Sequence, residues 1–504
     1  MVTLLTIALA TTLLVLGLLF LSGRFHPGAS APWKQEARVK IRLADLWRCE
    51  GVLDRGPYVL IGTFLFALKH NLDRFLASYV FHRRWSVFNY LEPAKSGSLT
   101  SLSHEEAVFY GVLVVTALPF IWVGVALTLR RLRATRLPTG LVLFFFLPVV
   151  NLLFFLMLSI LPSSQVHEFS PSPRWGRFKR ILHRIIPDHA VGSAAVGLLL
   201  TLIIALPSLF FGVRILGNYG WGLFVGLPFC LGLSSVLIYS FHHPRSLGSC
   251  LLVSICSVGL AAAVLFGLAV EGLICLFMAA PLALALAVFG GIIGYFVQLQ
   301  YRRPAEVLGM LSVMFLSVPA FMEIEQLNLP ESPLFAVHTA LDVAAPPAQV
   351  WRNVIAFSQL LEPTEWLFRI GIAYPMRAEI DGQGVGAERH CLFSTGTFIE
   401  PIQVWDEPRL LKFSVTSNPP PMQEWTPYAE IHPPHLKGFL ISRGGQFRLI
   451  PLSNGQTRLE GTTWYEHHLW PASYWQVWSD FIIHRIHLRV LNHIKALSEK
   501  KPEG

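Results

Sequence analysis

The feature that most limits what this chain can become is a run of about twenty apolar residues that recurs up to about Met322 and then stops. Each run is long enough to cross a hydrocarbon core of about 30 Å at roughly 1.5 Å rise per residue. The segments lie at 2–21, 58–81, 107–129, 141–161, 190–213, 221–241, 250–270, 272–297 and 305–322. Charged residues make up only 14% of the chain, against roughly 25% in a soluble protein, so lipid is the expected solvent for much of it. After 328 the sequence reads as an ordinary globular domain.

Two segments depart from the simple pattern. Segment 58–81 carries Lys69, Asp73 and Arg74, which are costly in lipid unless they pair or face protein. Lys69 and Asp73 are four apart and can pair on one helix face; a transport pathway is the other reading of the group. Segment 141–161 has Pro148 and Asn151 near its centre, where the backbone can bend back. Residues 2–21 lack a basic leader and exceed the usual apolar core of a signal peptide, which favours an uncleaved anchor. The expected organisation is an anchor and linker at 1–45, a first membrane domain at 46–161, a basic loop at 162–189, a second multi-helix membrane region at 190–328, and a soluble domain at 334–500.

The net charge of +9 is concentrated in short loops beside apolar runs, at Arg130, Arg131, Arg133 and Arg136, and again at Arg174, Arg177, Lys179, Arg180 and Arg184. This is the pattern of a positive-inside bias and of contact with anionic head groups. No basic face interleaved with aromatics occurs, so nucleic acid is not an expected partner. If segment 141–161 turns back, the loop charges place the soluble domain outside the cytoplasm.

From 334 onward the pattern is mixed. Residues 335–343 alternate as a strand, prolines 346 and 347 open a short helix at 349–357, and strands follow at 376–380, 388–398, 402–405, 410–416, 446–452 and 457–465. A long helix at 472–498 closes the domain. The expected architecture is a multi-helix transmembrane region plus an α+β helix-grip domain, an antiparallel curved sheet around a long C-terminal helix.

The Asn454-Gly455 pair reads as a two-residue hairpin turn. That register sets Ile450 opposite Leu459, Arg448 opposite Gly461 and Gln446 opposite Thr463. Arg458 and Glu460 belong in water, so the face with Gln446, Arg448, Thr463 and Tyr465 turns inward. Arg448 then needs a buried partner such as Glu400 or Glu424, or it anchors the polar end of a ligand. Trp478 and Phe481 on the last helix, and Glu424, Tyr428 and His435 in the long loop 418–437, complete the candidate ligand-binding set. The loop, stiffened by Pro419, Pro420 and Pro421, is either a lid or a surface flap on the bilayer.

The segments Ala345-Pro-Pro-Ala-Gln-Val-Trp351, Gly382-Gln-Gly-Val-Gly-Ala-Glu-Arg389 and Trp405-Asp-Glu-Pro408, together with the final aromatic helix, resemble the START-like superfamily, which includes polyketide cyclase-like and lipid-transfer domains. The resemblance implies a deep cavity between sheet and last helix that holds a lipid or other apolar molecule; it implies no shared catalytic set. Residues 46–161 resemble, more weakly, a bacterial inner-membrane family of unknown function, through Gly51-Val-Leu-Asp-Arg-Gly-Pro-Tyr58 and Arg130-Arg131-Leu132. The His-Asp pair usual in that family is replaced here by Arg133 and Ala134.

Eighteen histidines include His432 and His435 two prolines apart, His467 beside His468, and His484 and His487 on one helix face. A metal site needs three or four converging ligands, and the sequence fixes no third, so neither metal nor cofactor is expected. Acid–base work by Glu424, His435 or His484 would make the domain an enzyme of cyclase, dehydratase or hydrolase type. The favoured expectation is a membrane-tethered module that binds a lipid or other hydrophobic small molecule.

Overall fold

The computed structural model describes residues 43–90, 104–147, 150–161, 163, 183–217, 219–300, 304–327, 332–428, 431, 433–453 and 455–500. Among these, five helices are long and apolar enough to cross a membrane: Glu105–Ala134, Ala190–Val213, Gly222–Tyr239, Leu247–Gly267 and Leu273–Leu299. The expected span 2–21 lies outside the described residues. Segment 58–81 is helical but is not among the five. Segment 141–161 is broken into a 3-10 helix, Thr139–Phe146, and a short α-helix, Val150–Ile160, with 148–149 outside the described residues.

The helix Gly222–Tyr239 is the hub of the apolar part, with 89% of its residues buried. It can sit so close to Leu273–Gln300 because the contact faces carry glycine. A Cβ on Gly290 would come within 2.3 Å of the Phe229 carbonyl oxygen, and one on Gly232 within 2.0 Å of that of Ala287. Small residues at such crossings let backbones approach and gain dispersion contacts, the main attraction available between helices in lipid.

Two charged groups turn out to be internal braces. Lys69 pairs with the fully buried Asp73, whose other oxygen accepts from the Tyr90 hydroxyl at 2.5 Å. Arg131 is fully buried rather than turned to head groups. Its guanidinium donates to the carbonyls of Leu158 at 3.0 Å, Leu53 at 3.3 Å and Leu161, and to the Ser163 hydroxyl at 2.7 Å. Arg130 is also buried and donates to the Asp45 carbonyl at 2.9 Å. The loop charge read as a membrane-surface signal is therefore partly structural. The buried carbonyls of Leu53, Leu158 and Leu161 need donors, and a five-donor side chain supplies them.

The C-terminal part is a helix-grip fold. Seven antiparallel strands run β1 (Phe335–Val343), β2 (Pro375–Asp381), β3 (Glu388–Phe393), β4 (Gly396–Asp406), β5 (Leu410–Ser414), β6 (Leu440–Pro451) and β7 (Thr457–His467). Their order is β1-β7-β6-β5-β4-β3-β2, and the sheet curls around the terminal helix Ala472–Glu499. That helix buries Val490, Leu491 and Ile494 against Val343, Val350, Leu449 and Leu459.

Two strand readings need correcting. Residues 388–398 are not one strand: the chain reverses at Ser394-Thr395, and Gly396 takes a φ of +146° that other residues rarely adopt. The 446–465 hairpin is slipped by one residue. Its loop spans three residues, Leu452 N–H bonds to the Gln456 carbonyl at 2.8 Å, and Gly455 has φ +77°. Leu449 therefore faces Leu459, and Arg448 faces Glu460. A slip of one residue turns a strand over. Phe447 and Leu449 join the interior side, and Arg448 is exposed on the outside.

Candidate functional site

Two cavities lie next to each other where the helix-grip domain meets the apolar helices. The first, of about 140 Å³, sits between sheet and terminal helix, lined among others by Phe357, Phe393, Phe398, Phe413, Phe447 and Ile486. The second, of about 200 Å³, is bounded by the helices Ala190–Val213, Gly222–Tyr239, Leu247–Gly267 and Leu273–Leu299 on one side and by the helix-grip domain on the other. Pro421, Leu440 and Ile482 belong to both walls.

The polar end of the first cavity is Arg389 with Glu400. They are direct cross-strand partners on β3 and β4, both buried, and the guanidinium donates to the carboxylate. Arg389 also donates to the Ile355 carbonyl at 3.2 Å, and Phe357, Phe413 and Phe447 surround its guanidinium carbon at 5.5, 5.5 and 5.6 Å. Burial pushes the Glu400 carboxyl above its ordinary range even with the arginine opposite. The buried arginine expected at Arg448 is instead Arg389, and Glu400 is its partner.

The other expected site residues divide. Gln446 and Thr463 border the first cavity, where the Thr463 hydroxyl is bound to His487 Nε2 at 2.7 Å. His487 Nδ1 meets the Thr339 hydroxyl at 3.1 Å, and His484 Nδ1 meets the same hydroxyl at 2.8 Å. These histidines tie helix to sheet, and burial pushes the His487 pKa down to about 4. Tyr465 is fully buried and donates to Asp480 at 2.7 Å. Trp478 packs on Phe277 and Phe481 lies under Arg485. Tyr465 on β7 and Trp478 and Phe481 on the terminal helix line neither cavity.

The long loop docks the domain. The Glu424 carboxylate accepts the backbone N–H of Ile274 at 3.0 Å and of Cys275 at 3.2 Å, so it caps the helix Leu273–Gln300. Leu273 N–H donates to the Trp425 carbonyl at 3.0 Å, and Tyr428 donates to the Gly267 carbonyl. Burial raises the Glu424 pKa above the usual carboxylate value. Replacing Glu424 with alanine should weaken this docking by about 3 kcal/mol, since two buried N–H groups lose a charged acceptor. Hydrogen exchange at Ile274 and Cys275 in the full chain would show it. Exchange unchanged from wild type would refute the cap.

Of the expected site residues in the loop, His435 reaches the second cavity, beside Pro421 and Met422. Its Nε2 is 2.7 Å from Cys275 Sγ, and its Nδ1 is 3.4 Å from Glu271 Oε2. The three are close enough together to hold a metal ion. His432, the other half of the expected pair, lies outside the described residues. Sequence reading missed Cys275 and Glu271 because both sit at the start of an apolar run, about 160 residues before His435.

The chain matches no known family model and no curated protein. The resemblance of 46–161 to an inner-membrane family thus gains no support. Among solved structures, the helix-grip part is similar to a truncated norcoclaurine synthase from Thalictrum flavum, at 14% identity over 34% of this chain and 99% of that one, with a TM-score of 0.24. It is also similar to the Zhui aromatase/cyclase from Streptomyces sp. R1128, at 16% identity over 33% and 94%, with a TM-score of 0.22. Likenesses of this strength carry no argument about activity; the fold stands on the strand order and register described above.

Proposed function

We propose that this is a multi-pass membrane protein whose helix-grip domain takes up a small apolar molecule with one polar end, beside the bilayer. The observation that carries the reading is the first cavity: mostly aromatic and aliphatic walls with a few polar groups, among them the buried Arg389–Glu400 pair, the usual layout of a small-molecule site. Its volume of about 140 Å³ limits the guest in this conformation to about one aromatic ring or a short chain, since an apolar cavity of roughly 150 Å³ admits benzene. A hydroxyl or carbonyl on that guest would meet Arg389 and Glu400. The five apolar helices support membrane residence and would hold the domain where such molecules concentrate.

Gly461 offers a clean test. It borders the cavity, and an added Cβ would meet Leu491 at 3.7 Å and His487 at 3.9 Å, ordinary contact distances. Gly461→Ala should therefore be tolerated, while Gly461→Val occupies the space. With the full chain in detergent and single-ring phenols or C6–C8 alcohols as probes, Gly461→Val is expected to weaken uptake at least tenfold at a nearly unchanged melting temperature. Equal uptake by valine variant and wild type, or none by wild type, would reject the cavity as a binding site.

A further inference from the structure

The second cavity holds a group of side chains that the binding reading does not use. Cys275 lies in the first turn of the helix Leu273–Gln300, Glu271 just before it, and His435 comes from the docking loop. All three line the cavity, whose other walls are almost entirely Leu, Val, Ala, Met and aromatic side chains. Glu271 and His435 are both more than nine-tenths buried.

The orientation of the imidazole separates the two chemistries this trio could perform. A metal ion would have to be met by one ring nitrogen together with the thiol and the carboxylate. Here the ring stands between them: Nε2 faces Cys275 Sγ at 2.7 Å, and Nδ1 faces Glu271 Oε2 at 3.4 Å. The Sγ–Nε2 separation of 2.7 Å is a hydrogen-bond distance, shorter than the roughly 3.5 Å that a thiolate and an imidazole nitrogen keep when both bind one tetrahedral ion. A relay of thiol, imidazole and carboxylate is instead the arrangement of an activated nucleophile. Glu271 is itself held, its Oε1 accepting from the Tyr219 hydroxyl at 2.8 Å, and the Tyr219 ring stands edge-on to His435 at 5.0 Å.

We infer that Cys275, His435 and Glu271 form a nucleophile–base–carboxylate triad that transfers acyl groups from an ester or thioester whose chain lies in the second cavity. In the first half, Cys275 Sγ bonds to the acyl carbonyl carbon while its proton passes to His435 Nε2. The bond from that carbon to the leaving oxygen or sulfur breaks, and His435 returns the proton to the departing alcohol or thiol. A thioester on Cys275 remains. In the second half, water or an acceptor alcohol gives its proton to Nε2 and bonds to the carbonyl carbon. The carbon–sulfur bond breaks, and the thiol takes the proton back. No electrons are gained or lost. Glu271, with Oε2 at 3.4 Å from Nδ1 and no hydrogen bond at that nitrogen in the resting ring, stabilises by its charge the imidazolium formed midway; Tyr219 is a positioning residue. Burial suits His435 to the resting role, since it keeps the ring neutral, with its pKa pushed down to about 4.

The nucleophile belongs to a different cavity from the helix-grip guest, so this site stands independently of the binding reading. The test uses the full chain in detergent, with the exposed Cys256 changed to serine to remove background acylation. p-Nitrophenyl butyrate and p-nitrophenyl octanoate serve as probes. Expected are a burst of about one p-nitrophenol per chain and a mass gain of one acyl group mapped to Cys275. Cys275→Ala should abolish both. His435→Gln should slow acylation about 100-fold or more, and Glu271→Gln about tenfold, with the adduct still on Cys275. Cys275→Ser, nearly the same size, controls for folding through its melting temperature. Absence of burst and adduct with both esters in cooperatively melting protein overturns the proposal. So does an adduct that survives Cys275→Ala, or a stoichiometric metal ion that is lost with Cys275→Ala.

Discussion

Acidifying the full chain from pH 7 to pH 5 is expected to cost the helix-grip domain about 4 kcal/mol of stability. His435 and His467 are both buried, and burial pushes each pKa down to about 4. In the unfolded chain each would titrate near 6.5. Between those values the unfolded state binds a proton that the folded state refuses, so stability is complete above about pH 6.5 and falls as pH drops toward 4. Two such groups, each carried about 1.5 units below 6.5 at 1.36 kcal/mol per unit, give the stated figure. His487, half-buried beside the first cavity, acts in the same direction. Against a typical stability of about 5–15 kcal/mol this is a large share. The check is the urea midpoint of the domain at half-unit pH steps. A midpoint flat between pH 6.5 and pH 5 would show that these rings are protonated in place.

The first cavity was partly readable in the sequence and the second was not, and what was missed has definite causes. The helix-grip outline came through because strand alternation in 335–343 and 457–465, the prolines opening the short helix, and the apolar arc of the last helix are local signals. The inward face of β7 was also legible, since Arg458 and Glu460 can only sit comfortably in water; Leu459 and Gly461 are buried as their alternation requires. The facing strand failed on one residue of loop length. Asn454-Gly455 suits a two-residue turn, yet the loop takes in Ser453 as well, and that single residue moved Arg448 from the pocket to solvent. The buried pair Arg389–Glu400 was hidden by a similar error. Once Ser394-Thr395 is taken as a reversal, Arg389 falls opposite Glu400, and the alternation places both inside with Cys391 and Ile402.

The triad was out of reach for a different reason. Glu271 and Cys275 are four apart, and in isolation they look like the polar start of one apolar helix. His435 looked like one member of a stiff histidine pair in a loop. What joins them is the docking of that loop through Glu424 on Ile274 and Cys275, a contact across about 150 residues that no periodicity announces. The acidic residue expected to meet a ligand meets a helix end instead, where its charge is stabilised by the two N–H groups and the helix dipole. The same contact brings the histidine to the thiol. Cap and triad are thus one structural event, and loosening the cap should slow acyl transfer while leaving the first cavity's guest bound.

The first cavity makes the sharper stability prediction. Arg389→Met should destabilise the helix-grip domain by about 3–5 kcal/mol, because it leaves the Glu400 carboxylate buried among phenylalanines with its arginine gone. Glu400→Met should be costly for the mirror reason, stranding a guanidinium that Phe357, Phe413 and Phe447 surround without accepting its hydrogen bonds. The double variant should recover most of either loss, since two methionines fill similar space and neither needs desolvated charge compensated. That recovery separates a pair kept for function from one kept for stability. If the pair serves the guest, the double variant is as stable as wild type or nearly so, yet takes up phenols and alcohols far more weakly than Arg389–Glu400 does. A double variant that stays as unstable as the singles would mean that the pair holds β3 to β4 in its own right. One that binds the probes unchanged would remove Arg389 and Glu400 from the site.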